Sequence, residues 1–337
     1  MRRPVGTAGL AAALLVVTLA LAACGAQKID GMAAADVVAR SNAAMQDVKS
    51  AAVDGSLEIT IAGDKDKATS PANALLLGAP IGMTMTGVVS EQPAAMDVTI
   101  KIPLLATVSP GAETIQERVI GDHLYLRMGD QWYGMKQPDA KTATPSPSSS
   151  VSSEQVLGAL KRMGVDMGSW VKDKQDLTVE QLDGRDVYRV SEELDVSAMA
   201  AGVAKLLANA GSLQELVPGE QGAATQQLDM LEAQSGRIAE SLKEYLKGAT
   251  LDLWIEKGSF YLDKMAFSAD IDLPEEAAEQ GMDAVAVAFT MALSKFNEPV
   301  QIEKPADVKP LAKALPGMWS TDGAGGAGLL PGATPSL

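Results

Sequence analysis

The feature that most constrains the fold is a two-residue hydrophobic period repeated in short segments. Val53, Leu57, Ile59 and Ile61 alternate with Asp54, Ser56, Glu58 and Thr60. Ile81, Met83, Met85 and Val89 alternate with Gly82, Thr84 and Thr86, and Ala94, Met96, Val98, Ile100 and Ile102 with Asp97, Thr99 and Lys101. Successive strand side chains point to opposite faces, so each segment predicts a strand with one apolar and one polar face. Gly121-Asp122, Gly129-Asp130 and Asp183-Gly184 punctuate the segments as tight turns, the signature of an antiparallel meander. Further strands are predicted at Gln116–Ile120, His123–Met128, Gln131–Met135, Leu177–Leu182, Asp186–Glu192, Thr250–Glu256, Ser259–Phe267, Ala269–Leu273, Ala284–Leu293 and Phe296–Ile302.

Helical spacing appears in fewer places. Ala34, Val37, Val38, Ser41, Met45 and Val48 recur at three and four, with Asp30 as the predicted N-cap. A second stripe is Val156, Leu157, Leu160 and Met163, behind the capping-box pair Ser152 and Gln155. Between 196 and 248 the sheet pattern is interrupted by Met199, Val203, Leu206 and Leu207, then by Leu228, Leu231, Ile238, Leu242, Tyr245 and Leu246. The predicted fold class is therefore α+β: a curved antiparallel sheet of about eleven strands with helices packed on its concave face. One domain over 30–305 is expected. A flexible Pro/Ser/Thr loop at 137–153 and a helical insert at 196–248 lie within it, and a C-terminal tail at 306–337, disordered from about 321, follows.

The first residues read as an address. Arg2 and Arg3 precede an uncharged apolar run from Ala8 to Ala22, short for a membrane span and right for a signal peptide core. It ends in Leu21-Ala22-Ala23-Cys24-Gly25, which resembles the bacterial lipobox. On that reading residues 1–23 are a lipoprotein signal peptide, Cys24 is the site of lipid attachment, and 24–29 form a lipidated tether. The tether spans under about 20 Å, so the domain stays near the outer face of the membrane that the acyl chains anchor. Loss of Arg2 and Arg3 takes the formal charge from −15 to −17.

Composition narrows the chemistry. An acidic chain with 28 Lys+Arg against 43 Asp+Glu is not a phosphate-backbone binder, and no nucleic-acid partner is expected. One Cys and one His rule out an intrachain disulfide and a four-ligand Cys/His zinc site. No metal, cofactor or catalytic residue is predicted. His123 shares a strand face with Tyr125 and Arg127, while Asp122, its neighbour in sequence, is expected on the other face. The acids Glu192-Glu193, Glu275-Glu276 and Glu279 form the tightest clusters, without a calcium-loop pattern. The apolar 47% is aliphatic, with 16 Met and only 4% aromatics. Met adapts to variable apolar shapes, so a curved sheet lined this way predicts a hydrophobic cavity. Its candidate lining is Leu57, Ile59, Met83, Met85, Met96, Val98, Ile100, Leu124 and Leu126 from the strands, with Val38 and Met45 from the first helix.

Longer stretches resemble a known group. They are Ile120-Gly121-Asp122-His123-Leu124-Tyr125, Asp183-Gly184-Arg185-Asp186-Val187-Tyr188-Arg189-Val190, Leu251-Asp252-Leu253-Trp254-Ile255-Glu256-Lys257 and Phe296-Asn297-Glu298-Pro299-Val300-Gln301-Ile302-Glu303-Lys304-Pro305. With Trp132 and the helix order, they resemble the mycobacterial and actinobacterial LppX/LprAFG lipoproteins, similar in fold to the LolA/LolB carriers, over roughly 30–305. The resemblance implies an unclosed barrel whose cavity takes lipids or acylated glycolipids and carries them between membrane and cell envelope, without catalysis. An envelope transport partner is a further expectation. The helical block and the Pro/Ser loop depart from the family pattern. The competing expectation is a non-enzymatic sensory or protein-docking lipoprotein with a filled core. A hydrolase anchored on His123 is a third.

Overall fold

The computed structural model describes residues 28–70, 74, 76, 77, 80–91, 94–108, 111, 113–136, 165, 167–208 and 235–311. The signal segment, Cys24, the 137–153 loop, the Val156–Met163 stripe, Leu228, Leu231 and the tail beyond 311 lie outside them.

In chain order the elements are α1 (Ala34–Met45), β1 (Ser50–Gly63), β2 (Ile81–Glu91), β3 (Ala94–Lys101), α2 (Pro103–Val108), β4 (Thr114–Ile120), β5 (His123–Met128), β6 (Gln131–Lys136), β7 (Val171–Leu182) and β8 (Arg185–Leu194). There follow α3 (Val196–Ala208), α4 (235–245), β9 (Leu246–Glu256), β10 (Leu262–Asp272), α5 (Glu275–Ala278), β11 (Met282–Ser294) and β12 (Lys309–Pro310). The strands form one curved, open, mostly antiparallel sheet in the order β12-β6-β5-β4-β3-β2-β1-β11-β10-β9-β8-β7. Hairpins build both halves, and β1 closes onto β11 to join them.

The pairing register carries one apolar face across the sheet. Leu57 lies opposite Met83 on one side and Phe289 on the other, and Phe289 lies opposite Phe267. Val98 pairs with Glu117, which pairs with Leu126. Because the side-chain period is two, this alignment keeps each strand's apolar set on the same side.

On that face α1 packs against β7, β8 and β9 and reaches the start of β10 at Leu262. Ala34, Val37, Val38, Ser41 and Met45 are all buried, as their spacing predicts. Ala34, Val37, Val38 and Met45 join Leu177, Val190, Leu253, Ile255 and Met265 in the main core, and the Leu262 amide donates to Met45 Sδ at 3.5 Å. A smaller core, Met96, Val98 and Val119, lies in the other half.

The opposite face is a polar ladder. Arg189 donates to Asp252 at 3.0 and 3.1 Å and lies 5.3 Å from the Trp254 ring, and Lys264 stands 4.7 Å from it on the neighbouring strand. Arg118 repeats the arrangement with Asp97, at 2.5 Å, and Trp132, at 5.0 Å. Two of the chain's four Trp thus serve the polar face as platforms for cations.

Several expectations are corrected. Asp30 is not the N-cap of α1; Ala33 is, and its amide donates to Asp36 Oδ2 at 3.0 Å. Asp30 instead accepts from Tyr188 Oη at 2.9 Å and lies 2.8 Å from Lys257 Nζ. α1 ends at Met45, short of Val48. Ser259–Phe267 and Ala269–Leu273 are not two strands: β10 runs unbroken through Ser268, held by β9 and β11 on its two sides. Leu246 does not continue the helical stripe but opens β9, opposite Ile271.

Phe296–Ile302 is not a strand. Lys295 and Asn297 take left-handed φ of 53° and 60°, which ends the extended course. Asn297 instead bonds the start of β1: its Oδ1 accepts from Lys49 N at 2.7 Å and its amide donates to Ser50 O at 2.9 Å. The chain then crosses the polar face. Arg118 Nη1 donates to Glu303 O at 2.6 Å and Gln131 Nε2 to Asp307 O at 2.8 Å. The strap ends as β12, parallel to β6, beyond the 305 boundary expected for the domain. A Cβ on Gly134 would fall 2.6 Å from Val308 Cγ1 and 3.0 Å from Tyr125 Cδ1. Only glycine lets the strap lie this close and bury Tyr125.

Candidate functional site

All nine strand residues named as candidate lining share the apolar face. Leu57 and Ile59 lie on β1, Met83 and Met85 on β2, Met96, Val98 and Ile100 on β3, and Leu124 and Leu126 on β5, in register through β4. Met96 and Val98 are buried, and the other seven are half-buried. They occupy the β1–β6 half, and Met85 also packs against the main core that α1 joins. Val38 and Met45 are placed differently. They are 2% and 9% exposed within the core between α1 and the β7–β10 half, and there they fix the helix. The structure thus brings together the nine strand residues as a surface and separates the two helix residues from it. Cys24 lies outside the described residues.

Two carboxyls interrupt the apolar face. Glu117 sits between Val98 and Leu126, and desolvation raises its carboxyl above the ordinary range. Glu192 is 1% exposed, on the same parity of β8 as Tyr188, Val190 and Leu194. Burial pushes its carboxyl up to about 8, so it is protonated at neutral pH. Gln175, 3% exposed on β7, lies opposite it and donates from Nε2 to Glu192 Oε1 at 3.1 Å. Glu193 points the other way, to Lys172 Nζ at 3.0 Å, so the Glu192-Glu193 doublet is no cluster in space. The sequence names Glu192 only within an acidic doublet, and Gln175 and Glu117 not at all. Glu192 and Glu117 have the parity of the apolar residues of their predicted strands, whereas Gln175 precedes the predicted Leu177–Leu182 and joins the strand because β7 begins at Val171.

His123 stacks on Tyr125, with ring centroids 6.0 Å apart and planes 13° apart. Contrary to the strand-alternation expectation, Asp122 reaches it, Oδ1 standing 2.6 Å from Nδ1. Asp122 belongs to the turn before β5, where alternation does not apply. Lys136 Nζ also lies 3.2 Å from Asp122 Oδ2. The Lys136 bond, then the His123 bond, holds the Asp122 carboxyl below its ordinary value. The His123 side chain is 41% exposed, on the polar face and on the opposite side of the sheet from the candidate lining. Among the described residues no three or more His, Cys, Asp or Glu come together to hold a metal ion. Among them, too, no helix is long and apolar enough to cross a membrane.

At the end of the sheet where β8 begins, the entering chain is clasped. Asp30 bonds Tyr188 and Lys257, and the Lys257 bond, then the Tyr188 bond, holds its carboxyl below the ordinary value. Beside it, Arg185 Nη2 lies 3.1 Å from the buried Asp263 carboxylate. Residue 28 is therefore positioned next to the β8–β9 end of the molecule.

No protein-family model matches the chain, and no curated protein matches it. Among solved structures, the chain is similar to LprF from Mycobacterium bovis, at 16% identity and a TM-score of 0.38, over 80% of this chain and 95% of that one. A likeness of that degree assigns no function.

Proposed function

We propose that this chain is a membrane-anchored lipoprotein that binds lipid or acylated glycolipid against the apolar face of its sheet. It carries that lipid between membrane and cell envelope, and it is not an enzyme. The observation that supports the reading is the alignment of Leu57, Ile59, Met83, Met85, Met96, Val98, Ile100, Leu124 and Leu126 on one face by the pairing register. Each buried CH₂ contributes about 0.8 kcal/mol, so one long acyl chain on such a face supplies strong binding without a charged clamp. On this reading the lipobox-like Leu21–Cys24 supplies the anchor, on the extracytoplasmic side. The Asp30 clasp ties the start of the domain to the β8–β9 end.

Titration of a fluorescent fatty acid into the purified domain tests the reading. Saturable binding is expected, weakened about tenfold or more by Leu57→Asp, because the substitution removes apolar contact and puts a charge where the chain lies. Thr60→Asp, on the polar face of the same strand, leaves binding unchanged. Absence of saturable binding, or equal loss in the two variants, contradicts the reading. Retained partner capture without lipid binding would favour the protein-docking alternative.

A further inference from the structure

The apolar face contains one row that ends on a hydrogen-bonding pair. Reading across the strands, Glu192 lies opposite Leu251, Leu251 opposite Phe267, Phe267 opposite Phe289, Phe289 opposite Leu57, and Leu57 opposite Met83. The row crosses six strands, a span of about 24 Å at the usual strand spacing. Leu251 is buried, while Phe267, Phe289, Leu57 and Met83 are half-buried. Gln175 stands beyond Glu192, opposite it on the edge strand.

The pair is incompletely bonded. One hydrogen bond joins it, from Gln175 Nε2 to Glu192 Oε1. Among the described residues, Glu192 Oε2 and Gln175 Oε1 are buried without a hydrogen-bond partner. Protonated Glu192 has one O–H to give, and the Gln175 carbonyl has a lone pair to share. The second Gln175 N–H is also unspent; if the amide is turned over, the inventory is the same: two donor hydrogens and one acceptor oxygen remain. Leaving such groups unpaired in an apolar interior costs free energy, and the neighbours Leu177, Val190, Leu194 and Leu251 are apolar. A neutral O–H-bearing group, which can donate to the open acceptor and accept from an open donor, engages both open oxygens.

We propose that Gln175 and Glu192 form a polar subsite for an uncharged O–H-bearing group of the bound lipid, a hydroxyl or a protonated carboxyl, with the acyl chain lying along Leu251, Phe267, Phe289, Leu57 and Met83. This rests on the lipid-binding reading and adds its polarity: the polar end lies at β7–β8, the hydrocarbon end toward β2.

Displacement of an apolar fluorescent probe at pH 6 provides the test, with 1-hexadecanol, 1-methoxyhexadecane and palmitic acid as competitors. The ether accepts a hydrogen bond but gives none. The wild-type protein is expected to prefer hexadecanol, palmitic acid or both over the ether by about tenfold, the equivalent of one net hydrogen bond. The better of the two identifies the group as hydroxyl or carboxyl. Glu192→Gln keeps a donor and an acceptor and retains the preference. Gln175→Met/Glu192→Met removes both together, which spares the fold from an unpaired survivor, and binds all three competitors alike. A double variant that keeps the preference, or a wild type without one, overturns the subsite and leaves the lipid-binding reading standing. Failure of all three competitors against the wild type overturns both.

Discussion

Glu192 shows how one residue can combine local legibility with a hidden consequence. Its place on the apolar face follows from counting by twos from Val190. Its burial to 1% exposure does not, because that depends on Gln175 and Leu251 from the two flanking strands. The raised carboxyl has a signed effect on stability. A group near its ordinary 4.5 when unfolded and near 8 when folded binds more protons in the native state between those values. Its contribution is present below about pH 4.5 and is lost as pH rises through about 8. Urea denaturation midpoints of the wild type are therefore expected to fall more steeply between pH 5 and 9 than those of Glu192→Gln; parallel profiles would contradict this. Gly202 offers a second residue-scale outcome. A Cβ there would stand 2.5 to 2.7 Å from the Trp170 indole, so Gly202→Ala is expected to cost about 1–3 kcal/mol in chemical denaturation, by overpacking.

At the scale of elements, the strands were legible and the connections less so. Alternation located β1 to β6, β8 and β9; the Ala-rich 284–293 segment suits a strand or a helix by its sequence, and pairing with β1 and β10 along most of its length makes it strand β11. It failed at Phe296–Ile302, where apolar spacing resembles a strand but Lys295 and Asn297 turn the backbone. It also failed at β12, since a two-residue strand carries no period. Asp30 has the side chain of a helix cap yet clasps Tyr188 and Lys257, a contact made across 158 residues for the tyrosine. The clasp and the strap are thus long-range devices that a local pattern does not encode. Lys257→Ala is expected to speed hydrogen exchange at the amides of Ile29 and Met32, which bond each other's carbonyls at 3.0 Å, while β9 and β10 amides stay protected. Gly134→Val is expected to displace β12 through its collision with Val308, which exchange at Lys309 would report. Protection there equal to wild type would contradict that account of the strap.

For the whole molecule, the register unites the features. It turns separate alternating segments into a polar face carrying Arg–Trp ladders and an apolar face with two zones. One zone packs against α1 around Leu177, Val190, Leu253, Ile255 and Met265. The other presents the strand residues that the sequence nominated, and Val38 and Met45 belong to the first zone because a helix must bury its own stripe before it can line anything else. The aliphatic, Met-rich composition made an adaptable apolar surface legible. Its division into packed and half-buried zones was not, because it depends on where α1 docks. The account's central claim is that the half-buried zone holds a lipid. Native mass spectrometry of the domain purified from a lipid-containing host tests it most directly. The account predicts a stoichiometric, dissociable mass in the range of an acyl lipid, diminished in Leu57→Asp and kept in Thr60→Asp. A bare wild-type protein, or a bound mass indifferent to Leu57, would contradict it.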